Sequence, residues 1–253
     1  MIMEIKLNKI LKEGKALYLA YDQGLEHGPN IDFNDKNINP LYIIDIAKKG
    51  KFQGVVFQKG IAEKYNSEIQ DSKVPLIIKL NGKTNIYKGE PIAKQLCTVK
   101  EAIKLKASAV GYTIYIGSAH ESFMMHEFEK IEEEAHSKGI PVIAWIYPRG
   151  SSVKNDTSKE MISYAARTAL ELGADIVKLK YGGNPQDLKW AVKSAGKTKV
   201  VVAGGIKRTE SLLLKDINEI MKTGAAGLAI GRNIWQALSP LEITNKIQRI
   251  IWK

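Results

Sequence analysis

The sequence holds one cysteine, Cys97, among 253 residues, which excludes an intrachain disulfide framework and leaves no thiolate pair for a metal. Cys97 reads as a small packing residue. Histidine is almost as scarce. His27, His120, His126 and His136 are the whole set, and no two of them stand at the short spacing that metal ligands favour. Glu132, Glu133 and His136 share an acidic helical stretch, which reads as a solvated face. No metal and no cofactor is therefore expected. Long apolar runs are missing too, so no membrane span is expected. The opening MIMEIKLNKILKEGK scatters charge where a secretory leader needs an apolar stretch. These absences point to a cytoplasmic protein without a membrane partner.

Negative charge is in deficit. The chain carries 38 Lys and Arg against 27 Asp and Glu, a formal +11. Such a balance suits either nucleic acid or an anionic small substrate. The lysines are spread along the whole chain, with no dense basic run, no interleaved aromatics and no helix-turn-helix pattern, so nucleic acid is not the expected partner. Arginine is confined to Arg149, Arg167, Arg208, Arg232 and Arg249. No low-complexity linker interrupts residues 1–253, and one domain is expected.

What is present is a regular alternation. Apolar runs of strand length occur at residues 16–22, 54–58, 75–80, 109–115, 142–147, 176–181, 200–205 and 228–232, with helical patterns between them at 40–49, 100–107, 119–138, 157–172, 185–195 and 210–223. The TSKE at the start of the fourth of these helices has capping-box spacing between Thr157 and Glu160. Residues 81–91 read as a loop excursion after the third strand. Strands apolar on both faces, each followed by a helix, indicate a covered parallel sheet. Eight such units in about 250 residues are the pattern of a TIM (β/α)8 barrel.

That fold places chemistry at the C-terminal ends of its strands. The polar residues there are Asp22 within the run DQGLEHG, Gln58 and Lys59, Lys79 with Asn81, Tyr147 with Arg149, Lys178 and Lys180, Gly204 and Gly205 after Ala203, and Gly231 with Arg232. Glycines after the last two strands let backbone N–H groups approach an anion, and NIWQ at 233–236 suits the short helix of a barrel phosphate site. Arg232 can add a charge-assisted contact.

Lys178 and Lys180 share one face of the sixth strand, because side chains in a strand alternate. Two residues along a strand is roughly 7 Å, where like charges at an effective dielectric of 20 repel by about 2.4 kcal/mol, nearly two pKa units. Lys180 is thus expected to lower the Lys178 pKa and favour the neutral amine that attacks a carbonyl. Phosphate ligation or ion pairing fits the same two lysines. Tyr147 alone reads equally as a buried core hydroxyl, Trp145 as packing, and Asp22 as a turn residue before Gly24.

The stretches LAYDQGLEHGP (19–29), GVVFQKGIAEKY (54–65), KLNGKT (79–84), SAVGYTIYIGS (108–118), WIYPRG (145–150), GADIVKLKYGG (173–183) and GRNIWQ (231–236) resemble the archaeal-type class I fructose-bisphosphate aldolases in order and spacing. The resemblance implies a Schiff base on Lys178, acid/base work by Tyr147, a substrate wall at Trp145 and proton handling by Asp22. It implies phosphate binding by Gly204, Gly205, Gly231 and Arg232, and a second phosphate contact at Arg149. Members often carry histidine at the place of Gln23 and serine at the place of Ala203. It further implies cleavage of fructose 1,6-bisphosphate in glycolysis or gluconeogenesis, a phosphorylated sugar as partner, and a higher-order homo-oligomer. A heptulosonate-type synthase using the same lysine is the alternative.

Overall fold

A computed structural model describes residues 4–253, with backbone alone at residues 30 and 31. Eight strands follow in order: β1 Ala16–Ala20, β2 Gly54–Gln58, β3 Leu76–Lys79, β4 Ala109–Ile116, β5 Val142–Pro148, β6 Ile176–Leu179, β7 Lys199–Ala203 and β8 Gly227–Ile230. All neighbours are parallel, and β8 closes on β1 with Leu17 opposite Leu228 and Tyr18 opposite Ala229. The chain is a TIM barrel, as its sequence alternation predicts.

Alternation within each strand sorts the core into two bodies. Leu17, Leu19, Val55, Val177, Leu179, Val200 and Val202 point outward beneath the helices. Ala16, Tyr18, Val56, Ile77, Ala109, Ile143, Trp145, Ile176, Val201 and Ala229 fill the lumen. Ile10 closes the lower mouth, held by Tyr18, whose hydroxyl donates to the Ile10 carbonyl at 3.0 Å. The lumen is therefore packed at its base, and polar groups are confined to its upper end.

Several strands stop earlier than their apolar runs. β1 ends at Ala20, β6 at Leu179, β7 at Ala203 and β8 at Ile230. Asp22, Lys180, Gly204, Gly205 and Gly231 lie beyond the ladder, where the rim opens into loops; Gly205 takes a φ of +66° that disfavours side chains with a Cβ. Residues 82–94 form no helix or strand, and Asn81 pins the start of this excursion by donating to the carbonyls of Ala93 and Thr113.

Helix ends follow local chemistry. Asn39 caps Pro40–Lys49, and Pro40 occupies its first turn. A full capping box is made by Thr98 and Glu101, which starts Val99–Lys104 there. The box expected at Thr157 and Glu160 does not form. Ser158 caps Lys159–Glu171, its hydroxyl accepting from Met161 N, while Thr157 donates to Asn155. A final helix, Pro240–Ile251, turns Ile243, Ile247 and Ile251 onto the barrel.

One close approach positions the upper lumen. Trp145 on β5 lies with its ring against the bare Cα of Gly111 on β4, so a Cβ at Gly111 would collide with the indole. Gly111→Ala is expected to destabilise the barrel by about 1–3 kcal/mol in chemical denaturation, the usual scale of overpacking. It should also make Trp145 more accessible to acrylamide quenching.

Candidate active site

The strand ends converge on a cavity of about 400 Å³ lined by Asp22, Tyr147, Arg149, Lys178, Lys180, Ala203, Gly204, Gly205, Gly231 and Arg232. Trp145 is not among its lining residues; it lies buried, 1% exposed, with the Lys178 Nζ 5.6 Å from its ring centroid. Of the polar strand ends named in the sequence, those of β1, β5, β6, β7 and β8 line this cavity, whereas Gln58, Lys59, Lys79 and Asn81, from the ends of β2 and β3, are not among its lining residues.

Lys178 faces into the lumen one step from Trp145 on β5 and Val201 on β7. Burial pulls its pKa below the ordinary lysine value; Lys79 adds to the fall, while Asp22 and Glu26 oppose it. The like charge involved is not Lys180, contrary to the sequence expectation. Lys180 sits on the rim, bound to Asp156 and 5.8 Å from the Tyr147 ring centroid. Its charge is offset by that carboxylate.

Lys79, at the end of β3, is 1% exposed and contacts two carboxylates, Glu26 and, at 3.2 Å, Asp22. Burial opposes its charge, but Glu26 and Asp22 outweigh that and hold its pKa above the ordinary value. Asp22 is itself pushed up by burial and pulled down further by Lys79 and Lys178, so its carboxyl lies below the usual carboxylate range. Glu26 belongs to the short helix Gln23–His27 after β1. Glu26 is not singled out in the sequence, and Lys79 is named there only as a polar strand end without a role. The signal was present in the DQGLEHG run and in a lysine ending an apolar strand.

Tyr147 and Tyr115 are register partners on β5 and β4. Burial, with Asp22 and Glu26 adding to it, raises the Tyr147 pKa well above the ordinary phenol value, so it carries its proton at neutral pH. Arg149 lies 5.6 Å and 5.7 Å from the ring centroids of Tyr115 and Tyr147, bringing a cation to the same wall. Lys83, from the excursion after β3, is depressed by burial and by Arg149.

Across the cavity, Gly204 and Gly205 after β7 meet Gly231 and Arg232 after β8. Asn233 binds the two loops together, donating to the carbonyls of Gly204 and Ile206 and accepting from Arg208 N. Arg232 donates to Gly205 O at 3.1 Å and pairs with Asp32 at 3.2 Å. Its buried Nε has no hydrogen-bond partner among the described residues. Burying such a donor is costly unless an acceptor arrives. The expected short helix is present as Arg232–Trp235. This end of the cavity offers glycine backbone and a guanidinium to an anion.

The lower end of the barrel holds a separate polar cluster. His136 lies between Glu132 at 2.7 Å and Asp175 at 2.9 Å. Of the expected solvated face only Glu133 is exposed; Glu132 and His136 are partly covered where their helix meets the start of β6. Among the described residues no group of three or more His, Cys, Asp or Glu is arranged to hold a metal ion, and no helix is long and apolar enough to cross a membrane.

The model of the DeoC/LacD family aldolases matches residues 16–237. A class 1 fructose-bisphosphate aldolase of Thermoproteus tenax is 48% identical over 244 residues, covering 95% of this chain and 91% of the relative. A fructose-bisphosphate aldolase/6-deoxy-5-ketofructose 1-phosphate synthase of Methanocaldococcus jannaschii is 38% identical, covering 95% of this chain and 81% of the relative. Among solved structures, an archaeal fructose-1,6-bisphosphate aldolase with its catalytic lysine bound to the carbinolamine intermediate superposes with a TM-score of 0.92 at 46% identity, covering 98% of each chain.

The Lys180–Asp156 pair has a direct consequence. Lys180→Met should leave the midpoint of Lys178 reactivity unchanged in a pH series of reductive methylation followed by peptide mapping. An unpaired neighbour at strand spacing would move it by nearly two units.

Proposed function

Because the chain belongs to the DeoC/LacD aldolase family, we propose that its cavity carries out the class I aldol reaction of fructose 1,6-bisphosphate through Lys178. The observation that carries this reading is a buried lysine of lowered pKa between an anion-binding end and a cationic wall. Relatives with nearly half of their residues identical over almost the whole chain support it.

The neutral Lys178 amine attacks the C2 ketone, and the carbinolamine loses water to give an iminium. As Asp22 takes the C4 hydroxyl proton, cleavage of C3–C4 sends its electron pair into that iminium, forming an enamine and releasing glyceraldehyde 3-phosphate. Asp22, kept ionised by Lys79, is the acceptor for hydroxyl protons near the carbinolamine. Tyr147 holds a proton in the resting site and donates it to C3 of the enamine; Arg149 offsets the phenolate until it regains a proton from the water that enters for hydrolysis. Hydrolysis then returns Lys178 and dihydroxyacetone phosphate. Gly204, Gly205, Gly231 and Arg232 hold one phosphate, and Arg149 faces the other. Trp145 supports Lys178 from below.

The reading extends to a homo-oligomeric enzyme of the cytoplasm, acting as one domain. Leu238 and Ile206, fully and two-thirds exposed near the phosphate loops, are apolar surface suited to contact between subunits. A ketose phosphate synthase activity is a second reading, favoured by the double name of the Methanocaldococcus relative. An aldol cleavage assay separates the two.

Borohydride with dihydroxyacetone phosphate should add irreversible mass to the peptide containing Lys178 and abolish activity. Label on Lys180 alone, or no label, overturns the reading. In Tyr147→Phe, turnover should fall by about 10² to 10⁴ fold, the scale of a lost general acid/base, while trapping on Lys178 persists. Near-normal turnover would remove Tyr147 from the proton path.

A further inference from the structure

Three charged side chains lie beside Lys178 at the inner end of the cavity. Lys79 comes from β3, Asp22 from the end of β1, and Glu26 from the helix after it. Buried charges are stable only when paired, so their pairing pattern decides which of them stay ionised. Asp22 has two lysines within its influence, and it lowers its own pKa through both. Its side chain is committed to one of them, at 3.2 Å from Lys79.

The alternative pairing would be chemically harmful. A carboxylate bound to Lys178 stabilises the ammonium, and an ammonium has no lone pair with which to attack a ketone. Asp22 belongs to the strand end that faces Lys178 across the same cavity. Something must hold it away.

We propose that Lys79 is a positioning residue of the aldol reaction, engaging Asp22 so that this carboxylate stays ionised without fixing Lys178 as an ammonium, while Glu26 is the second counter-ion that keeps Lys79 charged at full burial. The inference rests on the Schiff-base reading of Lys178 given above. Lys79 is the last residue of the β3 ladder, with Gln58 and Gly111 as its register partners. Gly111 leaves no side chain beside it, and Gln58 is turned to the Asn81 carbonyl. Lys79 thus has the two carboxylates as its charged partners among the described residues.

The other groups facing Lys178 do not replace this arrangement. β4 and β5 bring Tyr115 and Tyr147, both protonated at neutral pH; burial raises the first to about 12. β7 and β8 bring Val201, Ala203 and Ala229, which carry no charge. On the rim, Lys180 is paired with Asp156, Arg208 with Asp216, and Arg232 and His27 with Asp32. Arg149 stacks over the two tyrosines.

The sign follows from the pairing. Removing Lys79 takes a like charge away from Lys178 and frees Asp22 to bind it, and both changes raise the Lys178 pKa. The test is the pH dependence of imine formation, read in a single turnover with dihydroxyacetone phosphate and cyanoborohydride, by mass on the Lys178 peptide. Lys79→Met should lose about tenfold or more in rate at neutral pH, one pKa unit or more, and recover at alkaline pH. Lys79→Arg keeps the charge and should keep the wild-type midpoint. Asp22→Asn should move the midpoint to lower pH, because the carboxylate that opposes the fall in the Lys178 pKa is then gone. This variant and Lys79→Arg decide the matter even where Lys79→Met does not fold.

Failure of wild-type trapping would remove the Schiff-base reading itself. Wild-type trapping with an equal loss at every pH in Lys79→Met, a shifted midpoint in Lys79→Arg, or no downward shift in Asp22→Asn would overturn the positioning role alone.

Discussion

The structure depends on the cost of holding charge inside a closed barrel. An ammonium taken out of water is tolerated only beside carboxylates, and Lys79 has two of them. Lys178, farther from full compensation, responds by giving up its proton more easily. The pKa values of the two buried lysines are therefore shifted in opposite directions within one lumen. Their difference arises from partners rather than from residue type.

The packing below makes this separation sharp. Tyr18, Trp145 and Val201 fill the lumen up to the level of Lys178, and Ile10 closes it from beneath. With a dry floor, solvent reaches the lysine only from the rim. At the rim the loops after β7 and β8 are tied to each other by Asn233 and to the first loop by Arg232 and Asp32. This glycine-rich end of the cavity is thus assembled from both ends of the sequence, and closure of the barrel is what creates it.

Much of this was legible in the sequence because it is local or periodic. The alternation of β6 placed Lys178 and Lys180 on one face, and strand-end glycines marked the loops after β7 and β8. The tuning of Lys178 was not legible, because its partners are brought near by ring closure. Lys180 is adjacent in sequence, yet a loop residue, Asp156, engages it; Lys79 is distant in sequence and acts across the lumen. The same distinction applies to caps. TSKE has the spacing of a capping box, but Thr157 turns to Asn155 and Ser158 takes the cap. The short helices Gln23–His27 and Pro29–Asp32 are too brief to show a period, although they carry Glu26 and Asp32.

The plug under the barrel also sets an order of assembly. Lys15 Nζ donates to the Ile251 carbonyl across 236 positions, and Trp252 Nε1 donates to Lys12 O across 240. During translation the segment around Ile10 leaves the ribosome early, whereas these partners emerge with the last helix. The lower mouth cannot be sealed until then, so partial chains present an open lumen of apolar side chains. Sealing is an end-to-end event with a high loop-closure cost.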